Sequence, residues 1–161
     1  MVPPAVPTAI PIVGPATGPA AIPTAGIAPE HAADPGTGPP RDYATACRAL
    51  AHAVGVAAGM RAGDSVLSLA CGAGEELPLW AEAFGAASVM GLERAPALAA
   101  QARRRSEAAH ASCDIEVHCA DASRLAQLIG GRFDRIGCVD GLYPLGARAP
   151  LLRAARTRLF A

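Results

Sequence analysis

The chain has 161 residues, 14 basic against 14 acidic side chains and therefore no net formal charge. That is room for one domain of ordinary size. A neutral balance gives no basic surface for nucleic-acid phosphates and no polybasic patch for a membrane.

Residues 1–40 hold eleven of the fifteen prolines, five glycines, the two acids Glu30 and Asp34, and no Lys or Arg. Proline fixes φ and removes a backbone donor, so this stretch is expected to be a disordered or polyproline-II-like tail. It reads as passive, with partner docking as the alternative. Pro3, Pro4, Pro7 and Pro11 interrupt its apolar run and no cation precedes Arg41, so neither a secretory signal nor a transit peptide is indicated. No run reaches the ~18 apolar residues of a membrane span. Five cysteines (Cys47, Cys71, Cys113, Cys119 and Cys138) make an odd set without a CxxC pair, which argues against a disulfide framework or a zinc ribbon. A reduced, cytoplasmic protein is expected. All fourteen basic residues are Arg, Asn is absent and Ala is abundant, which reads as GC-rich coding and lowers the information in each Arg and Ala.

A domain is expected over 41–161. Asp42 can cap a helix over 43–58, in which Ala46, Leu50, Val54 and Ala57 recur at helical spacing and Gly59 follows the end. A turn at 61–64 leads to the short apolar strand 65–70, and Cys71-Gly-Ala-Gly74 is a glycine loop. A helix opens at Glu75 and runs to about Phe84, then comes a second strand at 87–93. Pro96 suits the first turn of a helix reaching about Ala109. The third strand is 114–119, a short helix covers 123–129, the fourth strand is 133–139, and a last helix covers 150–160. Short apolar strands alternating with helices predict an α/β, Rossmann-like parallel sheet with helices on both faces, here of about four strands.

In an open parallel sheet, ligands bind outside the carboxyl ends of the strands. Four such ends carry a glycine loop or an acid: Cys71 to Gly74, Glu93, Asp121 and Asp140. Each alone could be a tight turn, a helix cap or a solvated acid. Gly72 and Gly74 let backbone approach a ligand and adopt positive φ, and the following helix turns its amino end toward the loop.

Together these segments resemble the class I S-adenosylmethionine-dependent methyltransferases. The resemblance rests on Ser65-Val-Leu-Ser-Leu-Ala-Cys-Gly-Ala-Gly74, Val89-Met-Gly-Leu-Glu93, Cys119-Ala-Asp-Ala122 and Phe133-Asp-Arg-Ile-Gly-Cys-Val-Asp140, and it covers roughly 43–161. It implies S-adenosyl-L-methionine as cofactor, with Ser68, Ala70, Cys71, Gly72 and Gly74 around the methionine end. It also implies that Glu93 receives both ribose hydroxyls and that Asp121 and the Ala122 N–H receive the adenine. Leu92, Arg94 and Ala95 would form part of the adenosine wall. Two positions depart from the pattern: Ser68 replaces an acid and Ala70 replaces a glycine. Ser68 can still bond to the methionine end or to a water, without charge.

A nicotinamide-dinucleotide domain of the same fold also wants an acid about 20 residues after its glycines. Its fingerprint fails at Leu77, and Glu75 and Glu76 would face a pyrophosphate, whereas a cationic sulfonium suits that acidic mouth. On the acceptor side, Asp140 and Tyr143 resemble part of the Asp-x-x-Tyr-His stretch of small-molecule methyltransferases acting on natural products, quinones and lipids. Pro144 takes the place of the His, removing a possible general base. Trp80 and Phe84 read as core, His52 and His110 as packing or surface residues. His118 and Cys119 point to opposite faces of a strand, so no metal site is expected. The resembled sheet has seven strands, and this chain stops after the helix that follows the fourth. A fragment, or a sheet completed by a partner chain or a swapped dimer, is therefore expected, with self-association through an exposed fourth strand. A catalytically silent cofactor-binding module remains the alternative to an enzyme.

Overall fold

The computed structural model describes residues 43–109, 111, 113–143 and 148–160. The expected tail, the Asp42 cap, His110 and Pro144 lie outside the described residues. In chain order the elements are α1 (Tyr43–Ala57), β1 (Ser65–Leu69), α2 (Glu76–Phe84), β2 (Ser88–Glu93), α3 (Pro96–Ala108) and β3 (Asp114–Cys119). A 3-10 turn (Ala122–Arg124) then runs into the short α4 (Leu125–Leu128), followed by β4 (Arg135–Gly137) and α5 (Arg148–Thr157).

The four strands form one parallel sheet in the order β3-β2-β1-β4. Side chains alternate between its faces, and both faces are covered, so every residue of β1 is buried. Leu67, Leu69, Met90 and Leu92 pack on one side against Leu125 and Leu128 of α4 and Leu151 and Ala155 of α5. Val66, Val89 and Val117 pack on the other side against Leu77, Trp80 and Ala81 of α2 and Ala99 and Ala102 of α3. Val54 and Ala58 complete that layer from α1 and the turn after it. As read from the sequence, Trp80 belongs to the core: it is fully buried and its indole Nε1 donates to the Ala51 carbonyl at 3.0 Å. Phe84 packs beside it and stacks with His52, ring centroids 5.1 Å apart.

The strands start in register because Asp134 fastens β4 to β1. Its Oδ2 accepts from the Ser65 N–H at 2.8 Å and from the Ser65 hydroxyl at 2.7 Å. Two elements differ most from the sequence reading. The fourth strand is three residues long rather than seven, and the last helix begins at Arg148 and ends at Thr157. The chain after α5 turns back toward the sheet, where Leu159 makes a parallel bridge with Phe133. The Phe133 N–H donates to the Arg158 carbonyl at 2.8 Å, and the Phe160 N–H donates to the Phe133 carbonyl at 3.0 Å. Pairing with the start of the fourth strand is what removes Leu159 and Phe160 from the helix.

Candidate functional site

Because the sheet is parallel, its four carboxyl ends open on one edge. Backbone hydrogen bonds carry the pairing past the strands and into the loops. Cys71 N–H donates to the Leu92 carbonyl at 3.0 Å, and Ala120 N–H donates to the Glu93 carbonyl at 2.9 Å. The glycine loop, Glu93 and the segment leading to Asp121 are thus tied side by side.

Glu93 ends β2 and is 7% exposed. Its Oε2 accepts from the Gly72 N–H at 3.0 Å and its Oε1 from the Ala95 N–H at 2.8 Å. Each carboxylate oxygen can accept more than one bond, so both keep capacity for a diol. Gly72 has φ +56, and a side chain there would meet nothing within 4 Å. Gly74 has φ +73 for a different reason: a Cβ there would lie 2.7 Å from the Ala102 Cβ. Gly72 leaves open space beside the loop, while Gly74 lets α3 close under it. Arg105 of α3 braces the loop from outside, donating to the Ala73 carbonyl at 2.5 Å and pairing with Glu75 at 2.8 Å.

Asp121 follows β3 and its Oδ1 accepts from the Ser123 N–H at 2.8 Å, so it caps the 3-10 turn while its half-buried carboxylate stays on the open edge. Ala122, next to it, is buried. The Arg94 side chain is exposed beside Glu93. At the fourth strand end, Asp140 has a left-handed φ of 55° and Tyr143 is 68% exposed. Ala70, at the end of β1, shares that φ of 55°. The two strained residues are neighbours in space, since a Cβ on Gly141 would lie 2.8 Å from the Ala70 Cβ.

Ser68, which the resemblance sets beside the methionine end or a water, is turned into the domain. It is fully buried, and its hydroxyl donates to Glu76 Oε1 at 2.7 Å. Burial pushes the Glu76 carboxyl up to about 7, against the pull of that bond. Burial also raises the thiols of Cys71, Cys113 and Cys138, which keeps them protonated and poor as nucleophiles or metal ligands. Among the described residues no cluster of His, Cys, Asp or Glu could hold a metal ion. The cysteines at all five positions are free.

Three residues stand apart from the sequence reading. Arg105 sits in the run Arg103-Arg-Arg105, where nothing in the pattern marks one arginine as the brace. Glu76 was read with Glu75 as an acidic mouth at the helix start, but it lies one helical turn before buried Trp80, on the core face, and is 5% exposed. Tyr43 opens α1, and its phenol is held above its ordinary value chiefly by a hydrogen bond with Cys47 and then by that thiol's charge. Asp140 and Tyr143 add smaller contributions in the same direction.

A parallel sheet with helices on both faces, a glycine loop after β1 and a carboxylate at the end of β2 is a Rossmann-like α/β domain. A family model described as a methyltransferase domain matches residues 66–159, and the chain belongs to that family. Among solved structures, it is similar to YjhP of E. coli, with 25% identity over 70% of this chain and 44% of that one, TM-score 0.59. A SAM-dependent methyltransferase from Geobacter sulfurreducens, solved with S-adenosyl-L-homocysteine, shares 24% identity over 70% of this chain and 44% of its own, TM-score 0.60. Coclaurine N-methyltransferase, bound to N-methylheliamine and S-adenosyl-L-homocysteine, shares 21% over 72% and 34%, TM-score 0.56. The chain spans less than half the length of each of these structures. No curated protein matches the sequence. Among the described residues no helix is long and apolar enough to cross a membrane.

Proposed function

We propose that this domain binds S-adenosyl-L-methionine at the carboxyl edge of its sheet and directs methyl transfer to a small-molecule acceptor. The observation that carries the reading is the bond between Glu93 and the Gly72 N–H, which sets a carboxylate against an open glycine loop. The cofactor would supply an electrophilic methyl on a sulfonium. Glu93 would accept the ribose hydroxyls, and Asp121 and the Ala122 N–H would address the adenine. Asp140 and Tyr143 flank the acceptor side, where the nucleophile must lie in line with the methyl–sulfur bond. Holding two reactants in line can supply ~7–11 kcal/mol of barrier reduction, so positioning is the protein's main contribution.

A dinucleotide is disfavoured by Glu75 and Glu76 at the start of α2 and by buried Leu77, which packs where the fingerprint needs a small residue. A small acceptor is supported by the neutral charge of the chain and by the N-methylheliamine bound in the coclaurine N-methyltransferase structure. A cytoplasmic location accords with the free cysteines. Calorimetric titration of the full chain with S-adenosyl-L-homocysteine and NAD tests the reading. Binding of the first and not the second is expected, and binding of NAD alone would overturn it. Binding without turnover of any acceptor would leave a silent cofactor module.

A further inference from the structure

Ser68 stands at the end of β1 where the methyltransferase pattern has an acid, and the structure returns an acid to that place from another element. Glu76, in the first turn of α2, brings Oε1 to 2.7 Å from the Ser68 hydroxyl, and its side chain is only 5% exposed. The charged and titratable groups around it are Cys71 in the loop, Glu75 on its own helix, Arg105 on α3 and Cys138 after β4. Arg105 is the only cation in that set, and it is engaged with Glu75 and the Ala73 carbonyl. Among the described residues no cation reaches ion-pair distance of Glu76. A buried carboxyl without a cationic partner beneath a ligand loop is disfavoured as an anion until a cation arrives.

We propose that Glu76 is the group that receives the ammonium of the methionyl end of S-adenosylmethionine, with Ser68 positioning its carboxylate. This rests on the cofactor reading above. Relocating the acid from β1 to α2 preserves the charge that Ser68 lacks and gives the hydroxyl a defined role. It also couples binding to proton release, because a carboxyl that is largely protonated below neutral pH ionises when the ammonium docks.

The test is calorimetry at pH 6 and pH 8, in buffers of different ionisation enthalpy, with S-adenosyl-L-homocysteine and 5′-methylthioadenosine. The second probe keeps the nucleoside thioether and lacks the amino-acid end. The wild-type chain should release protons at pH 6 on binding the first probe and not the second. Glu76→Gln should abolish that release and weaken the first probe about tenfold or more at pH 8, the loss of one charge-assisted bond. Methylthioadenosine binding should stay within about twofold, since no bond to it is removed. The double variant Ser68→Asp with Glu76→Gln should recover most of the affinity. If Glu76→Gln does not fold, Glu76→Asp, which withdraws the carboxylate by one methylene, should weaken the first probe alone. Unchanged binding and proton release in a folded Glu76→Gln variant would overturn the inference and leave the cofactor reading intact. A wild-type chain that binds neither probe would overturn both.

Discussion

Glu93 and Gly72 are 21 residues apart and joined by a 3.0 Å hydrogen bond from the glycine N–H to the carboxylate. The acid at the end of β2 is therefore part of the loop's construction. Its other oxygen accepts from the Ala95 N–H, so one side chain fixes the entry to α3 and the curve of the glycine loop together. A carboxylate held by two backbone donors is preorganised, and a ligand diol need not pay for ordering it.

Replacing Glu93 should accordingly have two consequences. Glu93→Ala leaves two backbone N–H groups without partners, a loss of roughly 1–3 kcal/mol for each that stays buried. It should also weaken S-adenosyl-L-homocysteine tenfold or more, since ~1.4 kcal/mol is already a factor of ten. Thermal melting and calorimetry on one preparation separate the two effects. A folded variant with unchanged affinity would remove Glu93 from the site, and NAD titrated in parallel shows whether any loss is specific.

The two loop glycines should respond differently. Gly74→Ala drives a Cβ to 2.7 Å from the Ala102 Cβ at a φ of +73, so α3 must shift and the fold should lose about 2 kcal/mol or more. Gly72→Ala meets open space and carries only the left-handed backbone penalty of ~1–2 kcal/mol. Its methyl group projects where a ligand would approach, so its larger effect should be on cofactor affinity. Equal melting temperatures for the two variants would contradict this division.

The fold was legible because the strands are short, mostly apolar runs separated by helices with clear breaks at Gly59 and Pro96. The strand ends were legible because a parallel sheet puts every carboxyl end on one edge. The length of the fourth strand was not. An apolar run such as 133–139 looks the same whether or not a partner strand lies beside it, and pairing limits β4 to Arg135–Gly137. Nor could spacing show that Ser68 turns toward Glu76, because both faces of β1 are buried and alternation carries no polar signal there.

Ala70 has φ +55, a conformation that an L side chain adopts at a cost of ~1–2 kcal/mol and glycine adopts freely. Glycine adds ~0.4–1 kcal/mol of unfolded-state entropy in the opposite direction. Relief of the backbone strain exceeds that entropic loss, so Ala70→Gly should stabilise the domain by about 0.5–1 kcal/mol and raise its melting temperature by a few degrees. A lower melting temperature would mean that the methyl contact with the Gly141 segment outweighs the relief.

Glu76 should leave a pH signature on stability without any ligand. Its folded value of about 7 lies above the ordinary 4.5, so the folded chain binds the additional proton between those limits. Stability from this group is thus full below pH 4.5 and is lost as pH rises to about 7, by roughly 3 kcal/mol in total. Glu76→Gln removes the dependence. Melts across this range should show the variant gaining on the wild type with rising pH, then a constant difference above pH 7. A difference that is flat from pH 4.5 to pH 8 would show that Glu76 is not buried as a carboxyl.

The outer side of β4 carries the last prediction. Among the described residues, β4 pairs with β1 on one side, and the other side has a ladder contact only at Phe133, through Leu159. Ile136 and Cys138 continue beyond that contact and are half-buried, and Phe160 beside it is 47% exposed. Unpaired backbone next to apolar side chains is a template for another strand. Arg135 protects one end only, its guanidinium being drawn away to Asp64 at 3.3 Å. The full chain should therefore self-associate as its concentration rises, with a mass by light scattering above the 16.2 kDa of one copy. Phe160→Arg, which sets a charge beside the open edge without entering the core, should shift that equilibrium toward the single chain. A wild-type chain that stays at the mass of one copy and melts in one sharp transition would show that the β4 edge needs no partner.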